Sequence, residues 1–261
     1  MSDELNRVYR SIDEQHAEKS ALTRRRLVKG TAATLGGMGL LSLPFASSAS
    51  AAHEDPQTIL NVAATAEVLA TIVNSVGQAR VDLQPEARRN IRAAAREEYI
   101  HFQTLTEFGA TPLTRRIWVP DAVFASRTSF LDTLEVGDQV FVNAYLIATR
   151  VFGNTGNGQL ATIASEFMGV EAVHRAFARH FNGKLGNDRV FMKSSQEETA
   201  PGAPDRGRPG FDNILEAPAR LQAAGFGFGQ QGSQPGQFYN FDVIKDSVPT
   251  ETGVNTLRPV A

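Results

Sequence analysis

A chain of 261 residues, 42% hydrophobic and 8% aromatic, holds enough apolar material for one domain with extensions and excludes wholesale disorder. Its formal net charge of −2 gives no electrostatic case for nucleic acid or an anionic membrane surface as a partner. With no cysteine, the chain has no disulfides, thiolate metal sites or cysteine nucleophiles. Any metal is therefore held by carboxylate, imidazole and water, a donor set that favours iron, manganese or zinc.

Residues 1–51 read as a leader. Thr23-Arg24-Arg25-Arg26-Leu27-Val28-Lys29 resembles the twin-arginine export signal, with Arg24 and Arg25 as the pair. A mildly apolar stretch, Gly30 to Phe45, follows, and Ala49-Ser50-Ala51 reads as the cleavage site. The stretch is short and broken by glycine, which argues against a spanning anchor. The resemblance implies passage of a folded chain, through the twin-arginine translocation machinery, across the cytoplasmic membrane of a bacterium. The mature chain would then begin near Ala52, with no stable membrane anchor.

Residues 52–183 read as an all-α domain, a four-helix bundle. Thr58 is placed to cap a first helix from Ile59 to about Val76, with Gly77 near its end. Its middle, Val62 to Val73, is apolar or small except for Glu67. A second helix starts at Pro85 and reaches about Phe108, with an inward stripe of Ile91, Ala94, Ala95, Glu98, His101, Phe102 and Leu105. Ala110 to Arg127, carrying Pro112 and Pro120, is longer than neighbouring antiparallel helices need, so it reads as a long crossover between helices two and three. The third helix spans about Ser129 to Phe152, and the breaker Gly153 to Gly158 leads into a fourth from Gln159 to Phe181. Residues 184–261 read as a mostly irregular extension packing on the bundle. Within it, Ala200 to Gly210 is a loop, Phe211 to Ala224 a short helix, and Phe238 to Phe241 an aromatic patch.

Two Glu-x-x-His pairs stand on the second and fourth helices, Glu98 with His101 and Glu171 with His174. Positions i and i+3 share a helix face, so each pair aims a carboxylate and an imidazole the same way. About one hairpin before each pair comes an acid in an apolar run, Glu67 and then Asp138, with Glu135 sharing the face of Asp138 as the alternative helix-three ligand. A single Glu-x-x-His is often only a surface pair, and a lone acid such as Glu67 is more often hydrogen-bonded than a ligand. Four acids and two histidines on inward stripes would repel one another unless two divalent cations neutralise them. Glu97, about 100° around the helix from Glu98, reads as solvated, and so does Glu166. His180 reads as exposed or capping, His53 as terminal, and His16 as lost with the leader. Tyr99 and Tyr145 read first as buried packing groups, with a supporting role at the site as the alternative.

At these residues the chain resembles the bacterial ferritin-like domain family that includes the desiccation-related proteins. The shared features are the helix-one Glu67, Glu98 with His101, Asp138 seven residues before Tyr145, and Glu171 with His174. The family's usual helix-three glutamate is an aspartate here. The resemblance implies a ferritin-like bundle over about Thr58 to Gly183 and a cofactor of two divalent ions, iron or manganese. It implies iron oxidation or the handling of dioxygen or peroxide without choosing between them. The alternative is a non-catalytic stress or desiccation-related envelope protein that uses the bundle as a scaffold. Enzymatic activity and assembly of copies into a homo-oligomer are left open by the sequence.

Overall fold

The computed structural model of the protein describes residues 55–187 and 210–250. The leader with Arg24 and Arg25, His16, His53 and all of the 200–210 loop except Gly210 lie outside the described residues.

The first helix, α1, spans Pro56–Arg80. Its cap is Asp55 and not Thr58: Asp55 Oδ2 accepts from the Thr58 backbone N–H at 3.0 Å, and Pro56 occupies the first turn, where no N–H is needed. The helix also runs through Gly77 to Arg80. The ring of Phe130 lies where a Cβ at Gly77 would be. The glycine near the helix end therefore marks a close helix–helix approach. By length and composition α1 is apolar enough to cross a membrane, but 89% of its most apolar window is buried inside the protein, as expected of a core helix.

Helix α2, Pro85–Glu107, returns beside α1 and ends at Gly109, whose φ of 89° suits a residue without a Cβ. All seven residues of its predicted inward stripe are buried. Helix α3, Arg127–Asn154, starts at Ser126, whose Oγ accepts from Ser129 N–H at 3.1 Å. Helix α4, Gly158–Phe181, starts at Asn157, whose Oδ1 accepts from Leu160 N–H at 3.0 Å. The α1–α2 and α3–α4 hairpins are the two halves of the bundle, and α1 also packs on α3.

The crossover and the extension carry strands that the sequence reading lacks, while the short helix expected within Phe211 to Ala224 is present. The crossover contains β1, Arg116–Pro120, and a 3-10 turn, Asp121–Phe124. The described extension is ordered into α5 (Glu216–Ala223), β2 (Gly227–Phe228), β3 (Gly236–Asn240) and α6 (Phe241–Ile244). β1 lies between β2 and β3 in an antiparallel sheet, with Ile117 opposite Phe228 and Tyr239. Neither strand run is persuasive alone, because each is short and its partner is more than a hundred residues away. The sheet ties the extension to the bundle. Phe241 is fully buried against Phe102 of α2, ring centroids 4.6 Å apart, and Arg115 pairs with Asp242 at 2.8 Å.

Candidate metal centre

The interior of the bundle gathers the predicted donors from separate helices. Glu67 comes from α1, Glu98 and His101 from α2, Glu171 and His174 from α4, and Asp138 from α3. Glu67, Glu98 and Glu171 are fully buried, and His101 and Asp138 nearly so. One donor atom from each of Glu67, Glu98, His101 and Glu171 falls within 4.8 Å of the others.

The two glutamates of the Glu-x-x-His pairs stand between the two imidazoles. His101 Nδ1 lies 3.7 Å from Glu98 Oε2 and 3.5 Å from Glu171 Oε1. His174 Nδ1 lies 3.1 Å from Glu98 Oε1 and 3.7 Å from Glu171 Oε2. Each carboxylate thus turns one oxygen towards each histidine. Glu67 joins the His101 side, with Oε2 at 3.6 Å from Nδ1. Asp138 lies outside that group of four; buried on α3, its carboxyl is raised by burial and by the charges of Glu171 and Glu98, against the opposing charges of His174 and Arg175. Glu135 does not enter the cluster. Its carboxylate is held at the bundle surface by Arg179 and by Lys184 at 2.6 Å, which leaves Asp138 as the buried helix-three acid.

These groups fit a bound cation. Glu67 Oε2, Glu98 Oε2, both oxygens of Glu171 and Nδ1 of both histidines are buried without a hydrogen-bond partner. Buried polar atoms are ordinarily satisfied, and six left open in the bundle interior are the kind of donors that a hard or borderline cation requires. The protonation of the groups agrees. Burial raises the Glu67 carboxyl to about 7, opposed by His101, and pushes Asp138 well above its ordinary range, helped by the Glu171 charge. Burial acts against the imidazolium of His101 and of His174, yet the surrounding carboxylates hold both well above the usual histidine value.

Three supporting contacts fix the donors. The Tyr145 hydroxyl donates a hydrogen bond to Glu67 Oε1, which fits the supporting role that the sequence leaves as the alternative to packing. Phe167 stacks on His101 with ring centroids 3.8 Å apart and closes that side with an apolar wall. Glu97 is a correction. Sequence position on α2 predicts a solvated side chain, and it is about half exposed, but its Oε2 lies 2.8 Å from His174 Nε2. That hydrogen bond lowers the Glu97 carboxyl and turns His174 Nδ1 inward, as a carboxylate behind a ligating imidazole does. Its position on α2 alone could not show this, because α4 supplies the partner.

Tyr145→Phe keeps the ring but removes the donor to Glu67. The expected result is a fold melting close to wild type and an affinity for Mn²⁺ weakened by roughly 10-fold to 100-fold, the usual effect of losing a group that orients a ligand. Competition with a metal indicator dye measures it, and an unchanged affinity would remove Tyr145 from the site.

Residues 55–184 match the family of the ferritin-like domain. No curated protein and no solved structure matches the chain significantly.

Proposed function

From a ferritin-like domain whose interior gathers buried glutamates and histidines, we propose that this protein is an exported redox metalloprotein with a two-metal carboxylate site. The single observation that carries the reading is the placement of Glu98 and Glu171, each with one oxygen towards His101 and the other towards His174. Carboxylates so placed are suited to bridging two ions. Glu67 and His101 would complete one position, Asp138 and His174 the other. Iron or manganese held there would supply chemistry with dioxygen or peroxide, including the oxidation of iron itself. The chain's own part is to exclude water, through Phe167 and the apolar surround of α1, and to hold the donors ready through Tyr145 and Glu97. Export is supported by the likeness of Thr23 to Lys29 to a twin-arginine signal, a route that suits a chain loaded with metal before it leaves the cytoplasm.

Anaerobic titration of the mature protein with Fe²⁺ or Mn²⁺ tests the site, and elemental analysis of protein recovered through its own export route identifies the metal. Uptake should saturate near two ions per chain. A chain that takes up less than about half an ion would leave the non-catalytic scaffold as the better reading, since a bridged pair needs both positions.

Uptake should also depend steeply on pH. Loading needs neutral imidazoles and ionised carboxylates, so protons compete with the metal. Because Glu67 titrates near 7 and both histidines are raised, Mn²⁺ affinity is expected to fall about tenfold for each proton displaced per unit of pH below about 7. In the metal-free protein the sign is opposite. A carboxyl raised from 4.5 to about 7 stabilises the fold fully below 4.5, and that contribution is lost as pH rises to 7. Melting curves of the loaded and metal-free forms should therefore diverge between those limits. Parallel curves would contradict the assignment.

A further inference from the structure

Arg175 follows His174 on α4 and stands one turn after Glu171, so it shares the inward face of that glutamate. The residue is only 5% exposed, and arginine is almost never buried unless its charge is paired. Its charge is permanent, unlike that of a histidine, which is neutral once it ligates a metal. The buried acid of α3 feels it: the guanidinium draws the Asp138 carboxyl down while Glu171 and Glu98 push it up. At Glu67 the charge that opposes burial is the His101 imidazole. The other buried arginine of α4, Arg179, is taken up at the bundle surface, where it and Lys184 meet Glu135 and Asp132, two cations against two acids.

Counting charge makes the two metal positions unequal. Glu67, Glu98, Asp138 and Glu171 are the buried carboxylates of the interior, and Arg175 sets one fixed positive charge against them. A first divalent ion leaves one negative charge over, and a second leaves one positive charge over. Glu97 adds a negative charge beside His174, but it is about half exposed and water screens it. Geometry points the same way. The donors that converge within 4.8 Å are those of Glu67, Glu98, His101 and Glu171, and Asp138 and His174 stand outside that group. We propose that Arg175 acts as a built-in cation on one side of the centre, so that one divalent ion is held tightly by Glu67, Glu98, His101 and Glu171 while the ion at Asp138 and His174 is held weakly and exchanges. The inference rests on the two-metal reading and adds to it a resident ion and a second that comes and goes.

Calorimetric titration of the mature protein with Mn²⁺ at fixed pH reads both affinities. Wild type should show two steps, the second at least about tenfold weaker than the first. Arg175→Met keeps an unbranched apolar stem and removes the charge, so the second step should tighten by at least about tenfold and the gap should narrow. Arg175→Lys keeps the charge and should keep the gap. A merely structural loss would weaken both steps together, so the ratio of the two affinities separates charge from packing. Arg175→Gln, also neutral, gives the same reading where the methionine variant does not fold. Electron paramagnetic resonance at one Mn²⁺ per chain adds a second readout, with isolated ions expected in wild type and a larger share of coupled pairs in the neutral variants. Equal affinities for two ions in wild type, an unchanged gap in the neutral variants, or a gap closed by Arg175→Lys overturns the inference and leaves the two-metal reading standing. Uptake of less than about half an ion by wild type and variants alike overturns that reading and the inference with it.

Discussion

Glu171→Gln is expected to abolish tight metal uptake while leaving the metal-free protein at least as stable as wild type. Glu171 is fully buried and neither of its oxygens has a hydrogen-bond partner, so without a cation its charge carries a desolvation cost that only the two facing imidazoles offset. A neutral amide of the same shape relieves that cost. It also removes one of the two carboxylates that reach both histidines, and affinity for Mn²⁺ should drop by more than about 100-fold, beyond the loss seen for supporting groups. Linkage makes the effect visible in melting. A ligand at a thousandfold excess over its Kd stabilises the native state by about 4 kcal/mol. For a protein of this size that is on the order of 10 °C in Tm. Scanning fluorimetry with and without Mn²⁺ should show this rise for wild type and almost none for Glu171→Gln. An equal rise in both would mean that the metal sits elsewhere.

Phe130→Ala is expected to cost roughly 3–5 kcal/mol of stability, the range for truncating a buried phenylalanine. Phe130 is fully buried at the start of α3, and its ring occupies the space over Gly77 of α1. The partner substitution gives the sharper test. Gly77→Ala places a methyl group inside that ring, and overpacking should destabilise by about 1–3 kcal/mol. Helix propensity alone would give the opposite sign, a gain of up to about 1 kcal/mol. Gly137→Ala on α3, with open space around its Cβ, should show that gain. Gly77→Ala in a Phe130→Leu background should recover part of its loss, since the shorter side chain vacates the contact. Denaturant unfolding of the set measures all of this. A stabilising Gly77→Ala would show that the two helices do not approach as described.

A wide part of this protein is local and periodic, and that part was legible in the chain. Helices α1 to α4 follow from runs of apolar residues at helical spacing, and their ends were found to within a few residues. The inward direction of Glu98 with His101, and of Glu171 with His174, follows from the i, i+3 rule. Glu67 stood out because a carboxylate in an apolar helix needs a reason to be there.

What the sequence left undecided depends on which helix faces which. Glu135 and Asp138 share a face of α3, and only the arrival of Arg179 and Lys184 on one side draws Glu135 to the surface. Glu97 shows no site signal on α2, and becomes a partner of the centre because α4 brings His174 Nε2 to it. Gly77 lies near the helix end in a one-dimensional reading, and is a contact point once Phe130 lies across it. The sheet needs strands separated by more than a hundred residues to meet, a pairing that no local pattern specifies. Composition and periodicity by themselves determined the helices and which side chains turn inward, because both are set by backbone geometry within a few residues. Tertiary structure alone decided which donors converge, which acid is neutralised at the surface, and which cation is buried beside them, because those depend on distances between segments that the chain brings together only by packing.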